Sequence, residues 1–485
     1  MEGNSNLKTK TLSGMIWSFV QRFGTMAISF VSNIVLARLL TPDDYGTIGM
    51  LMIFIAVANT FVDGGFGSAL IQKKEPTKED YSTIFWWNMF LSLVLYGVLY
   101  VCAPAVARFY DLPLLSQVLR VQGLVLILNA LSIIQQNQLR KQLKFKHLAS
   151  VTVVSAVLSA GIAIVLAYKG WGIWALVAQQ LMLSGFTAII LWVTNKWYPI
   201  LIFSKKSFKE LFGFGGFILL SNLINTLCDN IQGVLLGKFF NPATLGYYTQ
   251  ARKLEEVATS SVSGVINQVA YPVLSVFQQD INGLIRALKR FIQSIAFIVF
   301  PLMFLLIVIA KPTIILLYSD KWLMSVPYFQ ILCVAGLAIS LQMINYNAIA
   351  AVGKSDVLFK WTIIKRGLGL IFNIGGLVIY GVYGLLIGGV LTAYTLYFIN
   401  SYLVAKYIGY KISQQLKDLF PILLSALIAF TLTLFYNNNV HFTSSNIIIL
   451  LSDIVIYGIC YLIISVFLNK EIVTEVRCLF LKIIH

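Results

Sequence analysis

Residues 37–46 are Ala37-Arg38-Leu39-Leu40-Thr41-Pro42-Asp43-Asp44-Tyr45-Gly46, and residues 237–246 are Gly237-Lys238-Phe239-Phe240-Asn241-Pro242-Ala243-Thr244-Leu245-Gly246. A basic residue, two apolar residues, a proline and a glycine recur at the same spacing, at an offset of 200. Further on, Pro104 with Tyr110 corresponds to Pro312 with Tyr318, and Gly123-Leu124 corresponds to Gly336-Leu337. Three matches in order, at slowly growing offsets, predict a duplicated six-helix unit. Because six is even, the two copies would have the same orientation in a membrane.

The composition around these motifs is that of an integral membrane protein. Of the 485 residues, 58% are apolar and 11% are charged, and the mean hydropathy is +0.83. Soluble domains carry about 25% charged residues. The apolar runs are far longer than the strands of about 10 residues that alternate in a membrane barrel. Helical spans are therefore predicted.

A span needs about 20 mostly apolar residues, and the sequence predicts fourteen. They are 13–36, 45–71, 82–107, 113–137, 148–168, 171–194, 212–237, 245–276, 291–310, 326–350, 357–380, 383–405, 417–436 and 446–468. With the repeat, this predicts an all-α polytopic protein of about 14 transmembrane helices. Two parallel six-helix lobes, 1–205 and 206–411, would surround a central cavity, and 412–485 would add a pair of C-terminal helices.

The basic residues indicate the orientation. With the N-terminus in the cytoplasm, 24 of the 36 Lys and Arg residues fall in inside segments, 6 in outside segments and 6 within spans. Cytoplasmic loops carry the excess of Lys and Arg in membrane proteins. Both termini are therefore predicted to be cytoplasmic, in a bacterial inner membrane. Most of the formal charge of +17 is explained by topology, so a nucleic-acid partner is not predicted.

Several function classes are disfavoured by the sequence. No connection between predicted spans exceeds about 18 residues, which leaves no room for a soluble catalytic domain. There is no P-loop, no DxD sequence near a loop and no CxxC or Cys/His pairing among the five cysteines and three histidines. We therefore expect neither an enzyme nor a metal or organic cofactor.

Polar and charged side chains recur on one face of several predicted spans. A charge at the bilayer centre costs at least about 2.5–3.5 kcal/mol, so such residues usually face water or a partner. Packing between helices, ion pairing and snorkelling are the alternatives to a functional role. The predicted substrate-binding residues of a hydrated cavity are Ser18, Arg22, Thr25, Asn59, Asp63, Asn222, Asn225, Asp229, Arg252, Glu256, Lys365 and Arg366.

Beyond these patterns, specific stretches resemble a known family. Residues 37–46, Asp63-Gly64-Gly65-Phe66-Gly67-Ser68-Ala69-Leu70-Ile71-Gln72, residues 245–252 and 271–275, and the run from Lys311-Pro312 to Trp322 carry the resemblance. They look like bacterial polysaccharide repeat-unit flippases of the Wzx type, nearest to the colanic-acid exporter-like branch. These belong to the multidrug/oligosaccharidyl-lipid/polysaccharide exporter superfamily. The resemblance covers about residues 10–410, and its motifs mark the fold more than the substrate.

The resemblance implies a flippase that transfers undecaprenyl-diphosphate-linked oligosaccharide from the cytoplasmic to the periplasmic leaflet. Its partners would be this lipid-linked glycan, the bilayer and polysaccharide polymerase machinery, with coupling to H⁺ or Na⁺ left open. A lipid II flippase is the nearest alternative. A cation-coupled multidrug exporter would favour a net acidic cavity, against which Arg22, Arg252 and Lys365 argue. A membrane glycosyltransferase or polymerase is disfavoured by the short loops.

Overall fold

A computed structural model describes residues 2–439, 445–470 and 472–474. Within these ranges, the side chains of 2–12, 15, 260–269, 272, 355, 356 and 359 lie outside the description. The helices are α1 Glu2–Leu39, α2 Pro42–Asp63, α3 Phe66–Gln72, α4 Lys78–Phe109, α5 Leu114–Gln122, α6 Val125–Lys141, α7 Phe145–Tyr168, α8 Ile173–Asn195, α9 Lys205–Phe239, α10 Pro242–Val276, α11 Ile281–Val308, α12 Ala310–Tyr318, α13 Ser325–Ala351, α14 Ser355–Tyr407, α15 Ile412–Asn439 and α16 Asn446–Leu468.

The predicted all-helical membrane fold is confirmed. In the described ranges there is no strand, and twelve helical stretches are long and apolar enough to cross a bilayer. One of them, over Lys360–Tyr407, lies in α14, whose backbone leaves the helical region at Tyr380 and Gly381. A φ of +60° at Gly381 is reached without the cost that a Cβ would impose. With α14 counted as two helices and with α10, the described part of the chain has the fourteen long helices that the sequence predicts.

Two predicted spans consist of two shorter helices each. Gly64 and Gly65, both with positive φ, separate α2 from α3 inside the span predicted over 45–71. Gly123 and Leu124 separate α5 from α6 in the span predicted over 113–137; both keep helical backbone angles, and the helix tightens there through hydrogen bonds between residues three apart. The hydropathy of these segments predicts a span, but it does not report the local backbone angles and hydrogen bonds that interrupt a helix.

The recurring proline motif starts two helices in the same way. Thr41 caps α2 through a capping box with Asp44, and Pro42 is the first helical residue. In the second copy, the Asn241 side chain accepts a hydrogen bond of 2.9 Å from the backbone N–H of Thr244, and α10 begins at Pro242. Proline is suited to the first helical position because its fixed φ matches the helix and its missing N–H has no helical partner there.

The chain forms two compact units, residues 1–246 and 247–485. In unit 1, α1 packs on α7, α7 and α6 pack on α8, and α4 packs on α5 and α6. The helix α9 also belongs to unit 1, where it contacts α2, α3 and α4. In unit 2, α13 packs on α14 and α11, and α11 and α16 pack on α15. The predicted lobe boundaries at 205/206 and 411/412 remain predictions.

Candidate functional site

The helix α2 carries polar side chains that meet partners inside unit 1. The Asn129 side chain on α6 donates a hydrogen bond of 2.9 Å to Oδ1 of Asn59. Also on α2, the Thr60 hydroxyl lies 3.1 Å from the hydroxyl of Thr226 on α9. At the end of α2, the backbone N–H of Gly65 donates to the Asp63 carboxylate. Two of the predicted cavity residues, Asn59 and Asp63, are half-buried and held in place by these contacts.

The predicted residues of α1 differ in exposure. The side chain of Arg22 is exposed, while Ser18 and Thr25 are half-buried. The Thr25 hydroxyl donates a hydrogen bond of 2.7 Å to the backbone carbonyl of Gln21 in its own helix. Thr25 is therefore bonded locally, and Arg22 is a charged, exposed residue within the apolar stretch Ile16–Leu39 of α1.

On α9, the predicted residues follow one another at helical spacing. Asn222 and Asp229 are exposed, and Asn225 between them is half-buried. They lie in the apolar span Lys205–Phe239, one helical turn apart, which places them along one side of the helix.

In unit 2, two of the predicted residues pair with each other. The Nε of Arg252 lies 2.9 Å from a carboxylate oxygen of Glu256, four residues later on α10. The Arg252 guanidinium also donates to the hydroxyl of Tyr248, at 3.3 Å. The i to i+4 spacing allows this pairing within one helix. Arg252 and Glu256 thus neutralise each other's charge, which is the alternative to a substrate role for these two residues.

Lys365 lies in the interior of unit 2, with 5% of its surface exposed. Its ammonium donates a hydrogen bond to Oδ1 of Asn400, and Nδ2 of Asn400 donates to the backbone oxygen of Gln342 at 3.0 Å. Its neighbour Arg366 is half-buried. Lys365 is therefore buried in the packing between α13 and α14 and does not lie on an open surface.

One group of polar residues is not predicted from the sequence. It is the amide-rich segment of α6, in which Gln135 is fully buried and neither of its amide atoms is hydrogen-bonded within the described residues. Five amide side chains among residues 129–138 are the available signal.

Glu255 is an acid that the sequence leaves open as an ion-pair partner, a proton carrier or a Na⁺ ligand. It is 6% exposed, and one of its carboxylate oxygens lacks a hydrogen-bond partner in the described part of the chain.

Beside the polar side chains of α2 lies an apolar groove formed by α2, α4 and α9. Its volume is about 590 Å³, and every residue that lines it is apolar or cysteine. Phe54, Val57 and Phe61 contribute from α2, and Leu227 and Val234 contribute from α9. On α4 the lining runs from Leu95 to Phe109, a rise of about 21 Å at 1.5 Å per residue. The groove can hold a hydrocarbon chain.

A sequence model of a known family matches this chain over residues 35–327, and its description is "Polysaccharide biosynthesis protein". The chain belongs to this family. The resemblance of the sequence to a family of bacterial polysaccharide proteins is thereby confirmed.

Curated members related to this polysaccharide biosynthesis protein come from several bacteria. The teichuronic acid biosynthesis protein TuaB of Bacillus subtilis is 27% identical, over 73% of this chain and 74% of its own length. The succinoglycan biosynthesis transport protein ExoT of Rhizobium meliloti is 24% identical, over 74% and 73%. The lipopolysaccharide biosynthesis protein WzxC of Escherichia coli is 24% identical, over 75% and 74%.

Solved structures share the fold of this family member. The lipid II flippase MurJ in an inward closed conformation covers 95% of this chain and 100% of its own, with a TM-score of 0.76 and 16% identity. An inward-facing multidrug resistance transporter of the MATE family covers 82% and 98%, with a TM-score of 0.59 and 16% identity. At this identity the likeness concerns the fold alone.

Proposed function

We propose that the protein is a flippase that moves undecaprenyl-diphosphate-linked oligosaccharide units from the cytoplasmic to the periplasmic leaflet by alternating access. It would act in a bacterial inner membrane, with both termini in the cytoplasm and with a polysaccharide polymerase downstream. Its relatives are named for the biosynthesis or transport of teichuronic acid, succinoglycan and lipopolysaccharide. Such products are assembled from sugars, so a lipid-linked glycan is the class of substrate that fits the family.

The proposal rests on α2, which presents both apolar and polar side chains. Its apolar residues Phe54, Val57 and Phe61 line the groove of unit 1, and Asn59 and Asp63 of the same helix are polar and half-buried. A lipid-linked glycan needs both kinds of surface, because its isoprenoid chain is apolar while its sugars and diphosphate need hydrogen bonds and charge. In this proposal the groove holds the isoprenoid chain.

Arg22 is the proposed diphosphate contact in unit 1. It is exposed within an apolar span, and a guanidinium binds phosphate oxygens through two parallel hydrogen bonds. Arg252 carries less of the argument against a drug exporter than the sequence suggested, because it pairs with Glu256, and Lys365 is enclosed in unit 2. The exposed Arg22 is the cation on which the proposed contact with the diphosphate depends.

Coupling to H⁺ or Na⁺ is assigned in this proposal to Glu255. The carboxylate is buried in α10, and one of its oxygens has no hydrogen-bond partner within the described residues. A proton or a sodium ion would satisfy that oxygen. Replacement by glutamine keeps the shape and removes the charge, so transport by Glu255→Gln should lose its dependence on an ion gradient. Unchanged gradient dependence would remove Glu255 from this role.

Transport can be measured in proteoliposomes that contain the purified protein and a labelled undecaprenyl-diphosphate oligosaccharide. We expect the label to become accessible on the opposite leaflet much faster than in protein-free liposomes. Phe61→Trp fills the groove, and Phe90→Trp is the control on a large exposed apolar residue of α4 that is not among those lining the groove. Loss of transport in Phe61→Trp but not in Phe90→Trp supports the groove as the site that holds the isoprenoid chain. No transport by the unmodified protein would refute the function.

The same liposomes separate the alternatives. Lipid II carries the same diphosphate and polyprenyl chain, so faster movement of lipid II than of the oligosaccharide carrier would favour a lipid II flippase. Export of cationic dyes without movement of either lipid would favour a multidrug exporter.

A further inference from the structure

We propose that a polar pocket of unit 1 binds a phosphate group carried by a membrane lipid, at a site separate from the transport function proposed above. The pocket lies where α4 begins at Lys78 and where α6 and α8 end, and its volume is about 440 Å³. These are ends of helices that are apolar enough to span a bilayer. The pocket therefore lies at a membrane–water interface, where lipid headgroups are found.

Three lysines give the pocket its charge. Lys78, Lys144 and Lys196 come from three separate segments and line it together. None of the nine lining residues, all of them in the described part of the chain, is acidic. The three exposed lysines give the pocket a positive charge, which attracts an anion. Phosphate, with several oxygen acceptors, is suited to that position.

The helix dipoles account for one of these lysines and not for the other two. Lys196 follows the C-terminal end of α8, where positive charge is favourable. Lys144 is the N-cap residue of α7 and Lys78 is the first residue of α4, two positions where the dipole favours an anion. In α4 the acidic residues Glu79 and Asp80 also lie in the first turn. An anion in the pocket would offset the positive charge that Lys78 and Lys144 place at these two helix starts.

The backbone around the pocket is held in an unusual conformation. Lys196 has a φ of +47°, and Leu143, which precedes Lys144, has a φ of +56°. In the described residues only two other non-glycine residues have positive φ. Such a conformation costs about 1 kcal/mol or more at a residue with a Cβ, and it persists where surrounding structure or function requires it. Here Lys196 lines the pocket, and Leu143 lies in the chain between the lining residues Gln142 and Lys144.

Neutral groups complete a headgroup site. The Asn195 side chain donates a hydrogen bond of 3.1 Å to Oε1 of Gln138, and both amides line the pocket. Tyr81 and Trp197 lie edge to face, with ring centroids 6.4 Å apart. Amide N–H groups donate to phosphate oxygens, and Tyr and Trp are enriched at the level of lipid headgroups. Basic pockets between transmembrane helices are known to bind lipid phosphates.

Native mass spectrometry of the purified full-length protein tests the proposal with three probes. These are phosphatidylglycerol, undecaprenyl diphosphate and inorganic pyrophosphate, with phosphatidylcholine as the zwitterionic reference. We expect adducts with one or both anionic lipids to be retained at least about tenfold better than phosphatidylcholine. The two lipid probes show which source supplies the phosphate. Equal retention of pyrophosphate would overturn the assignment to a lipid.

A matched pair of triple variants locates the site. K78Q/K144Q/K196Q removes the three pocket lysines, and K205Q/K206Q/K209Q removes three exposed lysines at the start of α9 that do not line the pocket. Lipid adducts should be lost in the first variant and kept in the second, with both melting temperatures close to that of the unmodified protein. Equal loss in both variants, or no loss in either, would refute the pocket. If the first variant unfolds, Lys78→Glu alone replaces it and should reduce the adducts in the same way.

Discussion

A Cβ on Gly46 would overlap the backbone carbonyl of Pro242, and a Cβ on Gly246 would overlap the backbone carbonyl of Pro42. The two motifs that recur along the sequence therefore touch each other in space, and each glycine receives the proline of the other copy. Glycine is required at both positions because the opposing atoms belong to the main chain and cannot move aside as a side chain can.

Gly46→Ala should destabilise unit 1 by roughly 1–3 kcal/mol, the usual cost of inserting a methyl group into a closed contact. A thermal melt in detergent measures it. Gly97→Ala is the control, because a Cβ there would meet nothing within 4 Å in a helix interior, and it should be neutral or stabilising by roughly 0.5–1 kcal/mol. Equal effects of the two substitutions would contradict the backbone contact.

Arg22→Ala should abolish glycan transport while the protein remains in the membrane at near-normal levels, because an exposed arginine contributes little to packing. Loss of a charged hydrogen bond of about 1.5–3 kcal/mol should weaken binding tenfold or more. Arg120→Ala is the matched control, since that guanidinium lies 4.4 Å from the Tyr100 ring centroid, and transport should persist. If Arg22→Ala depletes the protein and Arg22→Lys restores it, the role of Arg22 is structural.

Asn400→Leu should cost more stability than Lys365→Met. The first substitution removes the acceptor of a buried ammonium and is expected to destabilise unit 2 by about 3 kcal/mol. The second removes the buried charge itself and should change stability by about 1 kcal/mol or less. Chemical or thermal unfolding of the two variants gives the comparison. The reverse order would show that Lys365 is not held by Asn400.

Tyr410→Phe should make the protein less sensitive to alkaline pH. Burial raises the pKa of Tyr410, and its hydrogen bond of 2.6 Å to Asp418 raises that pKa further. Tyrosine in the unfolded chain ionises near pH 10, whereas the folded protein keeps Tyr410 protonated. Stability that is complete below pH 10 is therefore lost as the pH rises above it.

The melting temperature between pH 8 and pH 11 checks this dependence. The unmodified protein should lose more stability over that range than Tyr410→Phe, although the variant starts lower at pH 8 because the hydrogen bond is gone. Tyr168→Phe changes a largely exposed tyrosine and should follow the unmodified protein. If Tyr410→Phe left the change of melting temperature with pH unaltered, ionisation of Tyr410 would not be the cause of the alkaline destabilisation.

Hydropathy and the recurring proline motif predict the helices well, since a span of about 20 apolar residues has few other stable structures in a bilayer. Interruptions were not predicted, because Gly64 and Gly65 end α2 through backbone angles that an apolar pattern conceals. For the polar residues, too, one part is predictable from the sequence and another part is not. Their presence in spans follows from the sequence, but Arg252 pairing with Glu256 and Lys365 meeting Asn400 depend on which side chains the packing brings together.

The pocket of three lysines could not be predicted from the sequence. Lys78, Lys144 and Lys196 are among the basic residues that predict the cytoplasmic side, but nothing in their spacing of 66 and 52 residues suggests a shared pocket. Only the folded arrangement of α4, α6 and α8 brings them together.

The reciprocal contact of Gly46 with Pro242 and of Gly246 with Pro42 has the form of an isologous interface, in which one patch meets its own copy about a twofold axis. Within unit 1 the two motifs thus meet as one surface meets its own copy in a homodimer, so that each position on one side of the contact has an equivalent position on the other.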